Sequence, residues 1–350
     1  MFSSWFVALH WAFAALFCLA LAGCEPGGPR ATLDTYLSRL ATPLNATPRT
    51  TADPPIPRLP ARSSLRSELP SAQLDTLDFL ALSGCKVQIT IGKRNSSLGR
   101  MASASQRLLL ELEFLELAPA CIDYMNERGN TELAGILSQA HALKRAQLPA
   151  RIFNATLGGP EFRQLWRKPA QLGVYPAQTS SQVISALDAI GADTRRWLAG
   201  DYQADNRSFE LQLSEVNKGD GGSLMAALAM QSSALATADA MLETAVLTGP
   251  LCHHGLRPDA ADILPRVVQK YFIEAIQPWS AALDRRRFEL LPPVAALEQA
   301  IASALPEAYR QWQRQRDRQI EHWVAAPKRH VQTLQSILES CGGMRTRETD

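Results

Sequence analysis

From Ser71 to Ser340 the apolar residues keep returning three and four positions apart. That period places them on one side of successive helices, and it constrains the fold more than any other feature of the chain. Leu108, Leu112, Leu115 and Ile122 fall on one side of a helix spanning Ser105 to Asn126, with Pro119 expected to kink or break it. Thr131 is a candidate cap for the next helix, with Leu133, Ile136, Leu137 and Leu143 on its apolar face, and Leu148-Pro149 is expected to close it. Residues 151–177 read as a short helix inside an irregular connection. Helical spacing resumes from Thr179 to Ala199 through Val183, Leu187, Ile190 and Leu198. Phe209, Leu211, Leu213 and Val216 tolerate either a helix or a strand. Lys218–Gly222 is a break, followed by an alanine-rich helix from Ser223 to Thr248 that Gly249-Pro250 stops. Further helices are predicted over Asp262–Gln277, over Leu297–Val324 after a separation at Pro292-Pro293, and over Pro327–Ser340.

One stretch is ambiguous. Val87, Ile89 and Ile91 alternate as a strand would, yet Cys85, Gln88, Ile89 and Gly92 also share a helical face. Its helical surroundings favour the helix. The predicted fold is therefore all-α or predominantly α, a multi-helix array. Before it come a helix over Ala31–Ala41 and a strap over residues 42–62 that holds six prolines. Ile56 and Leu59 are the strap residues expected to lie against the body. A boundary between two subdomains is sought at residues 219–222 or 249–258, and residues 342–350 read as a loose tail.

The first 23 residues carry no Asp, Glu, Lys or Arg, and their apolar core runs from Trp11 to Ala22. That core is short for a membrane-spanning helix and suits a secretory signal. It ends in Leu21-Ala22-Gly23-Cys24, followed by Glu25-Pro26-Gly27-Gly28-Pro29. This box resembles the lipobox of bacterial lipoproteins, in which cleavage falls before the cysteine and the cysteine is acylated. The resemblance implies lipidation of Cys24 and a partner in the lipid bilayer. With Glu rather than Asp after the cysteine, it also implies the outer membrane of a Gram-negative cell, facing the periplasm. The n-region departs from the usual pattern in having no Lys or Arg.

Of six cysteines, Cys18 lies in the leader and Cys24 takes the lipid, leaving Cys85, Cys121, Cys252 and Cys341. An even number in an oxidising compartment reads as two disulfides. Three pairings are possible; pairing of sequence neighbours is the simplest. A metal site from Cys252, His253 and His254 is disfavoured, because adjacent residues seldom aim at one ion.

The 36 basic and 34 acidic residues nearly balance, which argues against a nucleic-acid partner. No Gly-x-Ser-x-Gly elbow or His-Glu-x-x-His motif is present, and no catalytic residue, metal or cofactor is predicted. Asp75 and Asp78 share a helix face but read as ordinary flanking residues. The basic run from Arg310 to Gln319 reads as a solvated face with Trp312 turned inward. The most function-like stretch is polar, basic and glycine-containing. Its Lys93, Arg94, Asn95, Ser96 and Arg100 can hold a phosphate, a carboxylate or a lipid headgroup, or can simply pair with Glu111 and Glu113.

Three segments carry a wider likeness: Leu77–Cys85, Arg94–Arg100 and Ser105–Leu108. Together they resemble an uncharacterised proteobacterial lipoprotein family defined by a domain of unknown function, over roughly residues 30–341. That resemblance implies a compartment and a host group but no mechanism. The function expected is a helical binding or scaffolding module with an envelope protein, lipid or glycan as partner. The alternative is an envelope hydrolase with an unrecognised carboxylate or serine site.

Overall fold

The computed structural model describes residues 28–47, 52, 54–65, 69–70, 76–177, 179–247, 249–252 and 258–341. Cys24, Asp75, His253, His254 and the tail after Cys341 lie outside the described residues. Within them the chain is helical, with no strand. The ambiguous stretch after Cys85 is a helix, as its surroundings favoured.

In chain order the helices are α1 (Pro29–Ala41), the single turn α2 (Arg62–Leu65), α3 (Thr76–Ala81), α4 (Lys86–Asn95), α5 (Ser97–Met101), α6 (Ala104–Glu127), α7 (Thr131–Ala155) and α8 (Pro160–Leu165). Then come α9 (Gln182–Leu198), α10 (Asn206–Val216), α11 (Gly221–Ala245), α12 (Asp259–Val267), α13 (Ile276–Ala300), α14 (Glu307–Val324) and α15 (Ala326–Glu339).

The longest helices ignore the prolines expected to end them. Pro119 sits inside α6, Pro149 inside α7, and Pro292 and Pro293 inside α13. A proline removes one backbone donor and presses on the preceding turn. Pro119 and Pro292 themselves lie on the solvent side of their helices. Beyond Pro149, Ile152, Phe153 and Ala155 are buried in the central core, and that burial carries the helix past the break. The same holds for Val294 and Leu297 beyond Pro293. The separation expected at Pro292-Pro293 falls instead at Ile301–Pro306, through a short 3-10 turn. The helix expected over Asp262–Gln277 is α12 followed by a π turn over Val268–Ile273, then the start of α13. The cap of α7 is Asn130, one residue before the predicted Thr131.

Three cores result. The central one gathers Leu108, Leu112 and Leu115 of α6, the end of α7, and apolar residues of α8–α11, α13 and α14. A second packs α1 against α11, α12, the π turn and α15. The third fills the far half of the α6–α7 pair, where Phe114, Ala118, Cys121 and Met125 meet Leu133, Leu137 and Ala140. Val87 and Ile91 of α4 close it. Thus α6 and α7 run from the central core out into a smaller arm. The Cys85–Cys121 disulfide pins α4 to that arm, and Cys252–Cys341 ties the segment after α11 to the end of α15. Neighbour pairing of the four cysteines is what the fold contains.

Over residues 54–62 the strap lies on the body as expected. Ile56 is buried, and Leu59 packs against the central core. Trp312 Nε1 donates to the Pro57 carbonyl (3.4 Å), and Arg163 Nη2 donates to the Pro60 carbonyl (2.8 Å). At the break before α11, Gly222 allows a close approach. A Cβ there would lie 2.0 Å from the Arg167 carbonyl oxygen, so no other residue seats α11 against the end of α8.

Candidate functional site

The turn between α4 and α6 is built from local rules. Ser96 accepts a hydrogen bond from Gly99 N (3.0 Å) and donates to the Lys93 carbonyl (2.7 Å), which caps α5. Gly99 rests on the end of α4, where a Cβ would lie 2.2 Å from the Lys93 carbonyl oxygen. Arg107 Nη2 donates to the Arg100 carbonyl (2.6 Å) and holds the turn to α6.

This seating forms one wall of a cleft of about 990 Å³, the size of a small-molecule site. Five arginines line it: Arg62, Arg94, Arg100, Arg107 and Arg151. No acidic residue lines it among the described residues. The nearest counter-charge on the α6 wall is Glu111, buried at 1% exposure. Glu111 accepts from Arg94 Nε (2.7 Å) and from Lys144 Nζ, and Arg151 Nη1 stands 3.5 Å away. One carboxylate therefore serves three cations.

The titration directions express that surplus. Burial by itself pushes the Glu111 carboxyl up, but Lys144, Arg151 and Arg94 outweigh it and hold the group below its ordinary range. Burial also lowers Lys144 and Arg151, and the neighbouring guanidinium groups add to the shift; Glu111 opposes both shifts without cancelling them. Arg151 Nη2 donates to Gln147 Oε1 (2.8 Å), while its buried Nε has no hydrogen-bond partner among the described residues.

Of the five residues picked out in sequence, Arg94, Asn95 and Arg100 line the cleft. Lys93 does not. It pairs with Glu113 (3.0 Å) and faces a neighbouring groove with Gln106 and Tyr202. Ser96 caps a helix. The pairing with Glu111 and Glu113 is thus real; of the cleft arginines Glu111 reaches Arg94 and Arg151, and Arg62 lies in the field of Glu161. Arg62, Arg107 and Arg151 were not legible as site residues, because they arrive from α2, α6 and α7. The faint signal was local: Arg107 stands four residues before Glu111, and Arg151 four after Gln147, at helical spacing.

Other polar clusters are closed. The basic run of α14 is not all solvated, because Arg316 is buried at 3% exposure. It makes two hydrogen bonds to Glu298 (2.7 and 3.0 Å) and stacks near the rings of Trp166 and Trp312. Asp220 likewise receives Arg286 twice (2.5 and 2.9 Å) and Tyr175 Oη (2.8 Å). His330 bridges Tyr36 Oη (2.6 Å) and Asp239 (2.5 Å), and both rings are buried. This chain joins α1, α11 and α15. Among the described residues no group of His, Cys, Asp and Glu is arranged to hold a metal ion, and no helix is long and apolar enough to cross a membrane.

The chain matches the family described as a protein of unknown function, DUF3080, over residues 33–344, and belongs to it. No curated protein and no solved structure matches the chain.

Proposed function

We propose that the protein is a ligand-binding module of the bacterial envelope, anchored through acylated Cys24, whose arginine cleft receives an anionic, oxygen-rich group such as a phosphate or carboxylate. The observation that carries this reading is the cleft itself, with five arginines on its walls and one buried carboxylate set against three cations. Guanidinium groups bind phosphate and carboxylate in a bidentate fork, and they gain most where water is partly excluded. An unanswered cluster of cations is costly to hold together, and a bound anion relieves that cost.

The lipid anchor rests on the Leu21–Cys24 box and on the two disulfides, which suit an oxidising compartment. Placement at the outer membrane, facing the periplasm of a Gram-negative proteobacterium, rests on the same box and on Glu25. Envelope phosphates and carboxylates occur on lipids, glycans and proteins, and the cleft suits the shared group.

The test is calorimetric titration of residues 25–350, made in an oxidising compartment, with inorganic phosphate. This chain contains every described residue. Saturable binding that weakens with salt is expected, as is a loss of about tenfold or more in Arg94→Ala. Absence of saturable binding, or equal binding by Arg94→Ala, sinks the anion reading. Palmitate labelling of the full chain checks the anchor: the label is expected to vanish in Cys24→Ala.

A further inference from the structure

The turn that forms one wall of the cleft also carries an apolar tip. Leu98 and Met101 of α5 are 85% and 86% exposed, the most exposed of the large apolar side chains described. They stand three residues apart, on one face of the turn. Gly99 and Arg100, between them in sequence, line the cleft instead. Leu80 and Ile89, on the preceding two helices, are exposed as well. Among the described residues, four of the nine exposed large apolar side chains thus fall within α3–α5.

Single exposed leucines are ordinary. Here the pattern is different, because the apolar pair flanks in sequence Gly99 and Arg100, which line a cleft of five arginines on a nearly neutral chain. The turn is also firmly held. Ser96 caps it, Gly99 seats it on α4, and Arg107 ties it to α6. A seated turn with apolar side chains outward and arginines beside them is the arrangement of an interfacial anchor. Its apolar side chains enter the boundary between headgroups and acyl chains, while the cations meet phosphates.

We infer that the arginine cleft and the Leu98–Met101 tip together dock on an anionic phospholipid surface, the cleft taking lipid phosphate and the tip entering the interface. This deepens the anion reading and rests on it. Charge complementarity selects the occupant: arginines for phosphate, and an apolar tip that a purely polar polyanion would leave in water.

The test uses the unacylated chain of residues 25–350, so that no lipid anchor contributes. It is floated with phosphatidylcholine vesicles with and without phosphatidylglycerol. Recovery is expected to depend on phosphatidylglycerol and to fall about fivefold in Arg100→Ala. It is expected to fall about tenfold in the uncharged double variant Leu98→Ser/Met101→Ser. Because both residues are exposed, that double variant keeps the fold, and it is expected to bind inorganic phosphate as the parent does. Equal recovery from both vesicle types, or unchanged recovery of the double variant, overturns the inference. Phosphate binding without vesicle binding, or binding to a soluble anionic glycan alone, removes the lipid surface and leaves the anion cleft. Loss of phosphate binding in the parent removes both.

Discussion

Two buried carboxylates, Glu298 and Glu111, are equally hidden from water and have opposite surroundings. Glu298 is saturated and balanced. It accepts from Tyr309 Oη (2.7 Å), Gln313 Nε2 (2.7 Å) and both terminal nitrogens of Arg316, whose Nε also donates to the exposed Asp317 (2.8 Å), so no cation is left over. Tyr309, Trp312 and Trp166 wall the group off. Glu111 is outnumbered by Lys144, Arg94 and Arg151, and it sits behind an open cleft with further arginines. Burial is common to both. The difference lies in the sum of charge and in access, and it separates a group in a closed cluster from one behind an open cleft.

The comparison can be broken in several places. The largest effect is expected at Glu298→Ala, which leaves both terminal nitrogens of the buried Arg316 without their carboxylate and only Asp317 on its Nε, and lowers stability by about 3–5 kcal/mol in urea melts. Added phosphate is not expected to restore it, since the cluster is closed. Next is the staple of the arm. Cys85→Ser with Cys121→Ser is expected to cost about 2–4 kcal/mol and to weaken phosphate binding, because α4 carries Arg94 against Glu111. An unchanged affinity would mean that packing alone positions Arg94.

Glu111→Gln is expected to cost about 1.5–3 kcal/mol, and here phosphate should recover much of the loss by taking the place of the missing charge. Equal phosphate responses in the Glu298→Ala and Glu111→Gln variants would show that the two carboxylates do not differ in access to an anion. The same carboxylate has a pH signature. Its folded pKa lies below its unfolded value, so the unfolded chain takes the proton first. The stability it contributes is full above the ordinary carboxylate range and is lost as the pH falls through and below that range. Acid melts should show a shallower decline in Glu111→Gln than in the parent. The smallest effect is expected at Lys93→Ala, which breaks an exposed pair with Glu113, at under about 1 kcal/mol and with phosphate affinity unchanged.

Much of the helical order was legible, because burial of one face imposes its period on a sequence whatever the helix packs against. The α1, α9 and α11 stripes are of this kind. The prolines were not legible in the same way. A proline states a local preference, and Pro119, Pro149 and Pro293 are overruled by apolar residues beyond them that the cores bury. The site was half legible. Arg94, Asn95 and Arg100 stood out because they sit in one polar stretch. Arg316 was hidden in a run that looked solvated, and nothing local marks it as the partner of Glu298, 18 residues earlier on another helix.

By itself the sequence determined the helical class, the apolar faces, the supply of four cysteines and the polar turn from Lys93 to Arg100, since each depends on residues near one another in the chain. Only the tertiary structure decided which cysteines meet, which prolines are tolerated and which arginines share a cleft. Those outcomes depend on distance in space and on the sum of charges brought together. Arg62, Arg107 and Arg151 join Arg94 and Arg100 through the packing of α2, α6 and α7, and no period in the chain records that meeting.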